Sequence, residues 1–350
     1  MYITDLKAIS PQKTYENELL TGAKVDHADK VYHVIEPDYM DFIPKGLLRR
    51  MGKAVRMGVG AGLPLVNAHP DLDGVVIGTA NGGLEDCIKF LNQIVEYNEG
   101  VLTPTNFVQS TPNAIAGQLA LMGNNRGYNI TYTNGGLSFE NSILDALLLF
   151  EEKAARKLLI GGLEEISDYN YNIDSLAGKY KDEIVTDTEL LNSTSPGTVC
   201  GEGASMFVVE AHADTAYAQI LDVAQATYPT EADIAFVLDQ MLDRQGLKRS
   251  DIDTVMLGYN GDSRHAAWYD FVGNTVFGHA NTLSFKNLIG DYRSCSAFAA
   301  WLSAHLLNGS TSFLPLIQLQ NRHESGISRM LIYNHFDGVR HGAILLSKVH

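Results

Sequence analysis

The stretch Thr131-Tyr-Thr-Asn-Gly-Gly-Leu-Ser-Phe-Glu-Asn-Ser-Ile-Leu-Asp-Ala146 passes from β-branched residues through paired glycines into an apolar, helix-periodic run. Strand, tight turn and helix in that order make an elbow, which in an enzyme presents a nucleophilic Ser or Cys at a helix N-terminus. Here the tip is Gly135-Gly136, and neither residue has a side chain to acylate. Such a turn demands positive or strained φ, which glycine accepts at little cost. The elbow keeps its geometry and lacks its reagent. Ser138 lies two residues further on, where a hydroxyl most commonly caps or packs the first helical turn. The three cysteines, Cys87, Cys200 and Cys295, are widely spaced and odd in number. That pattern is neither a disulfide framework nor a zinc site, so reduced thiols and no metal are expected.

The elements that must hold such an elbow are legible from composition and periodicity. With 350 residues, 45% hydrophobic and 19% charged, the chain can bury a large core as one compound domain or two intimately packed ones. A net charge of −15 argues against general affinity for nucleic acid or anionic membranes. The longest apolar stretch, Leu144 to Phe150, is too short to span a bilayer, so a cytoplasmic location is expected. One local exception to the acidity is Pro44 to Gly62, with five basic residues and no acid. Arg49, Lys53 and Arg56 fall at helical spacing opposite Leu48, Met51, Val55 and Val59. The spacing predicts one helix from Leu48 to Val59 whose basic side is either a solvated face or a docking patch for an acidic partner. The acidic stretch Lys181 to Ser195 reads as a surface loop.

Short apolar strands alternate with amphipathic helices, the pattern of an α/β fold. Val75 to Gly83 and Val255 to Asp262 echo each other as buried strands ending in Gly/Asn turns. Each is followed some thirty residues later by a glycine-containing helix start, Thr111 to Gly117 and Lys286 to Asp291. Two similar halves meeting near residues 210 to 225 are expected, divided as 1–215 and 216–350 and packed as one body.

Several phrases in order resemble the β-ketoacyl synthases of the thiolase superfamily. Tyr2 to Pro11 resembles that family's opening strand, and Leu48 to Val59 its Arg-rich first helix. Ser110 to Gln118 is similar to the helix before the nucleophile strand, and Gly161-Gly-Leu-Glu-Glu165 to a buried Gly-Gly turn. Gly201-Glu-Gly-Ala204 followed by Phe207-Val-Val-Glu210 is the most recognisable, because a GEGA turn feeding an apolar strand marks the end of the first half. The resemblance implies a thiolase-like five-layer αβαβα sandwich of two duplicated halves, obligate dimers, and decarboxylative Claisen condensation by a Cys assisted by two His or by His and Asn.

Carried over residue by residue, that chemistry is missing. The nucleophile position falls on Gly136. The first His, in a His-Gly-Thr phrase, corresponds to Asn260, and the second, after Lys-Ser-x-x-Gly, to Asp291. An amide polarises an oxygen but shuttles no proton at neutral pH, and a carboxylate repels an enolate. Lys286 alone survives, placed to pair with Asp291. The family's Gly-Phe-Gly-Gly gating loop corresponds to Asp337-Gly-Val-Arg340. No catalytic residues and no cofactor are therefore expected.

The pattern resembles the chain-length factor subunits of type II polyketide and aryl polyene systems, which pair with an active ketosynthase. The resemblance implies a partner ketosynthase in a heterodimer, or a second copy in a homodimer. It also implies access to acyl carrier protein through the complex, and an interface strand Asn129 to Thr133. Tyr132, Asn134 and Leu137 become candidates for interface or acyl-tunnel contacts, and Arg49, Lys53 and Arg56 for carrier-protein docking. The competing reading is a diverged condensing enzyme or thioesterase using Cys295, Ser138 or a relocated His, with His265 and His279 nearest the site motifs.

Overall fold

The computed structural model describes residues 1–322 and 326–349. Eleven strands form one sheet: β1 (Tyr2–Ile9), β2 (Gly74–Gly78), β3 (Tyr128–Tyr132), β4 (Lys157–Glu164), β5 (Gly203–Glu210), β6 (Ala218–Thr227), β7 (Thr254–Leu257), β8 (Asn281–Ser284), β9 (Gln318–Gln320), β10 (Arg329–Phe336) and β11 (Arg340–Ser347). Their spatial order is β9-β8-β7-β10-β11-β6-β1-β5-β4-β2-β3. From the β3 edge inward the order is β3-β2-β4-β5-β1. From the other side, inside β9, it is β8-β7-β10-β11-β6. In each set the first three strands run parallel and the next two pairings are antiparallel. The sets meet where Tyr2 pairs Gln219 and Ile3 pairs Ala218.

Strand alternation explains the layers. Val75 and Ile77 of β2 face one way and Val76 the other, and all three are fully buried, so β2 is covered on both faces. Val75 and Ile77 pack with α1 (Lys53–Ala68) and with Ile115 and Leu119 of the helix Ala114–Met122. Val76 packs inward with Phe139 and Ile143 of the helix Ser138–Glu151 and with the helix Ser296–Leu307, whose twelve residues are all buried. On the far side, Val255, Leu257, Leu331 and Tyr333 pack with Ile234, Leu238 and Met241 of the helix Glu231–Arg244. One apolar cluster packs the central helices against strands on both sides and two more pack the outer helices, which makes five layers: helices, strands, central helices, strands and helices. No helix among the described residues is long and apolar enough to cross a membrane.

Some expectations from the sequence need correction. The predicted helix from Leu48 is broken: a single turn ends at Leu48 and α1 begins at Lys53, with Gly52 extended between them. Gly52 is needed there because a Cβ would stand 2.6 Å from the Asp86 Cγ. Gly161 and Gly162 lie inside β4, not in a turn. A Cβ on Gly162 would stand 2.8 Å from Ala297 and 3.2 Å from Phe139, so its absence lets both central helices approach the sheet. The segment 181–195 is not a bare loop. It holds a two-residue strand and a helix, Asp187–Leu191, closed by a Thr186–Glu189 capping box, with Leu190 fully buried. Lys181 is buried because its ammonium donates to the carbonyls of Ser195 and Gly261. Finally, the first echo holds, since Val75 to Gly83 and Val255 to Asp262 carry the topologically matched strands β2 and β7. The second does not, because Thr111 to Gly117 precedes β3 whereas Lys286 to Asp291 follows its counterpart β8.

Candidate functional site

The elbow forms as the sequence predicts. β3 ends at Tyr132, Gly135 takes φ +55°, and the helix that starts at Ser138, here α2 (Ser138–Glu151), runs down into the central layer. The Ser138 hydroxyl accepts from the Asn134 N–H at 2.9 Å and donates to the Gly135 carbonyl at 2.8 Å. Both capacities are used on the turn itself, so Ser138 holds the elbow and is not a nucleophile with a neighbouring base.

The space above the glycines is filled from the hairpin that joins β10 to β11. An added Cβ on Gly136 would stand 3.1 Å from Phe336 Cγ and closer still to its Cβ, and one on Gly135 would collide with the Arg340 guanidinium. Phe336 is held in turn by two cations over its ring, Lys179 at 4.6 Å and Arg293 at 5.0 Å from the centroid. Lys179 also pairs with Asp337 at 3.1 Å and Asp174 at 3.3 Å, and Arg293 with Asp174 at 3.2 Å. The hairpin that carries Phe336 is thereby latched over the elbow.

Behind Phe336 lies a polar cleft of about 30 Å³ whose lining includes Asn260, Asp291, His335 and Phe336. That volume admits one or two waters and no acyl chain. Asn260 reaches it from the turn after β7, where Gly261 takes φ +75°, and its amide donates to Asp291 Oδ2 at 2.7 Å. Lys286 Nζ stands 2.9 Å from Asp291 Oδ1, with its side chain 1% exposed. Burial pushes the Lys286 ammonium down, but the Asp291 charge overcomes this and holds it above its ordinary value. Lys286 thus pairs with Asp291, as its place in the sequence suggested.

The network runs on to Cys295, whose thiol is 3.9 Å from Asp291 Oδ1 and accepts from the Asn334 amide at 3.6 Å, while the Tyr269 hydroxyl donates to Asn334 at 3.2 Å. Burial pushes the Cys295 thiol up to about 12 against the opposing pull of Lys286, and Cys295 is fully buried. A thiol of that acidity carries no useful thiolate at neutral pH. Cys200 is likewise pushed up to about 12 by burial. His335 is buried, and desolvation holds its imidazole neutral, well below the usual value. Its ring stacks on Tyr269 at 4.3 Å and its Nε2 meets the His265 carbonyl at 3.2 Å. His279 contacts only a backbone carbonyl, that of Ile252, among its described hydrogen bonds.

The structure brings together Gly136, Asn260, Asp291 and Lys286 around Phe336, which sequence reasoning did not single out, nor did it single out Asn334 or Glu140. Glu140 was detectable as an acid on the apolar face of its helix, whereas the role of Phe336 depends on the distant elbow. Tyr132 and Asn134 are half-buried at the β3 edge. Leu137 is 2% exposed, so it lies inside the protomer and not on an open face. The basic trio does not form one patch. Lys53 pairs with the buried Glu202 at 2.6 Å, Arg56 pairs with Glu36 at 2.9 Å, and only Arg49, on the broken turn, is exposed. Glu202, the acid of the GEGA turn, also accepts from the Val34 and Ile166 N–H groups, which explains why Lys53 is drawn away from solvent.

Residues 25–178 match the family described as beta-ketoacyl synthase, N-terminal domain. The fold is a ketosynthase fold. The whole chain superposes on a beta-ketoacyl synthase from Burkholderia phymatum STM815 with TM-score 0.80 and 18% identity, covering 100% of this chain and 99% of that one. It also superposes on a chain of the ketosynthase (ApeO) in complex with its chain length factor (ApeC) from Xenorhabdus doucetiae, with TM-score 0.76 and 15% identity over 99% of this chain and 98% of that one. The ishigamide ketosynthase/chain length factor gives TM-score 0.77 and 15% identity over 100% and 99%. No curated protein sequence matches the chain. The resemblance read from the sequence and the thiolase-like sandwich it implies are both borne out.

Proposed function

We propose that this chain is a non-catalytic, ketosynthase-like subunit of the chain-length factor type. It pairs with an active β-ketoacyl synthase in cytoplasmic fatty acid, polyketide or aryl polyene biosynthesis and shapes that partner's acyl tunnel. The observation that carries the reading is Phe336 lodged where a nucleophile on Gly136 would be. Asp291 supports it, because this carboxylate is tied down by Lys286 and Asn260 at the position where the resemblance expects imidazole.

Pairing is supported by the sheet. Among the described residues β3 pairs with β2 alone, so its other edge is open, and open edges seek a strand. Large exposed apolar side chains concentrate toward this end: Leu91, Val95, Phe107, Leu144, Leu148 and Ile173 are all more than two-fifths exposed. A patch of that kind marks a protein partner. Tyr132 and Asn134 flank the edge as interface or tunnel contacts, and the two halves, 1–215 and 216–350, act as one rigid support.

The competing enzymatic reading requires Cys295, Ser138 or a displaced His; Cys295 is desolvated, the Ser138 hydroxyl is engaged on the turn, and the buried His335 is held neutral. Two measurements decide. Incubation with acyl carrier protein thioesters followed by intact mass is expected to leave the chain unmodified, and a stable acyl adduct would defeat the non-catalytic reading. Co-expression with a Cys-bearing ketosynthase from the same organism is expected to yield a one-to-one complex, and a tight homodimer indifferent to every such ketosynthase would defeat the pairing.

A further inference from the structure

The face beside the β3 edge carries one feature that apolar pairing does not explain. Leu144 and Leu148 stand one turn apart on α2 and are 43% and 46% exposed, and Asp145 lies between them in sequence on the same flank of the helix. Over Asp145 sit the two tyrosines of the edge strand. The Tyr128 hydroxyl donates to Asp145 Oδ1 across a long 3.5 Å, the Tyr132 hydroxyl reaches the same carboxylate, and Asp145 Oδ2 is shielded from solvent. No ion pair reaches Asp145 among the described residues. A shielded carboxylate met only by tyrosine hydroxyls has no counter-charge, and covering the leucines would desolvate it further.

The symmetry of edge pairing makes this carboxylate decisive. If β3 pairs with its own copy about a two-fold axis, the strands run antiparallel and the same surface meets itself. With the axis near Ile130, midway between the two tyrosines that face Asp145, α2 lies beneath its own strand and comes to lie beside its twin. Two copies of Asp145 then enter one apolar seam with no cation between them, and like charges in such a seam repel. A second, different chain of the same fold escapes this if its facing helix supplies a donor.

Resting on the pairing reading above, we propose that Asp145 selects a non-identical partner, one whose apposed helix brings an Arg or Lys side chain to this carboxylate. Self-pairing is disfavoured by the same group. Asp145 is thus a specificity device in which one charge repels the wrong partner and attracts the right one.

Sedimentation equilibrium of the full chain compares the wild type with Asp145→Asn and Asp145→Ser, after thermal melts verify that each is folded. Calorimetric titration then measures the affinity of each for a Cys-bearing ketosynthase from the same organism. Both variants are expected to self-associate at least about tenfold more tightly, and to bind the ketosynthase at least about tenfold more weakly. Unchanged self-association in both folded variants overturns the proposal, and unchanged ketosynthase affinity overturns the cation assigned to the partner. If the wild type ignores the ketosynthase while both variants still self-associate more tightly, the pairing reading fails and the self-exclusion by Asp145 stands.

Discussion

Phe336 occupies the volume that a side chain on Gly136 would need, its Cγ 3.1 Å from the position of an added Cβ. Restoring the missing nucleophile by one substitution therefore meets a steric obstacle before any chemistry. Gly136→Cys is expected to destabilise the fold by about 1–3 kcal/mol through overpacking and to remain unacylated by acyl thioesters. Gly136→Cys with Phe336→Ala is expected to recover much of that loss and to stay inactive, since Asn260 and Asp291 supply no proton shuttle. Chemical denaturation and intact mass check both. A fully stable single variant would show that the ring moves aside freely.

The Lys286–Asp291 pair is expected to be structural and costly to break from one side. Asp291→Ala leaves an ammonium whose side chain is 1% exposed without its counter-charge, and a loss of about 3–5 kcal/mol is expected. Lys286→Met combined with Asp291→Leu removes both charges, and most of the stability should return. Urea titration of the three proteins measures this. A mild effect of Asp291→Ala alone would mean that Asn260 and its neighbours solvate the lysine adequately.

What the sequence made legible was local. The strand-turn-helix rhythm around Gly135, the strands ending near Gly83 and Asp262, and the spacing from Lys286 to Asp291 all depend on neighbours a few residues apart. What escaped was set by distant contacts. The helix across Arg49 breaks because Asp86 presses on Gly52, Lys53 turns inward because Glu202 needs a cation, and Lys181 is buried because carbonyls from two other segments surround it. Leu137, a candidate for interface or tunnel contact, is 2% exposed, and no local pattern reveals how deeply the elbow sits. The plug itself joins residues 200 positions apart, and no window on the sequence brings Phe336 to Gly136.

Glu140 predicts a pH dependence of stability. It is 1% exposed on the inner face of α2, and burial raises its carboxyl from the ordinary 4.5 to about 7, the Ser296 hydroxyl and the Lys286 charge being too weak to offset desolvation. A carboxyl whose folded value is raised contributes stability that is complete below about 4.5 and is lost as pH rises through about 7. Glu164 and Glu165 are raised to about 7 in the same direction, again chiefly by burial. The melting temperature should therefore fall between these two pH values from these groups, and Glu140→Gln should flatten the slope by its share. An unchanged slope in that variant would mean that Glu140 is ionised in the folded protein.

The cysteines offer the most direct check on hidden nucleophilicity. Cys200 and Cys295 are buried and their thiols are pushed up to about 12, whereas Cys87 is half-buried on the outward helix Leu84–Glu96. Because alkylation requires the thiolate and a path for the reagent, iodoacetamide near pH 8 should add once to the native protein and three times after denaturation. Peptide mapping is expected to place the native adduct on Cys87. Rapid native modification of Cys295 would mean that the cleft behind Phe336 opens and that Lys286 draws the thiolate out, and the enzymatic alternative would then regain its nucleophile.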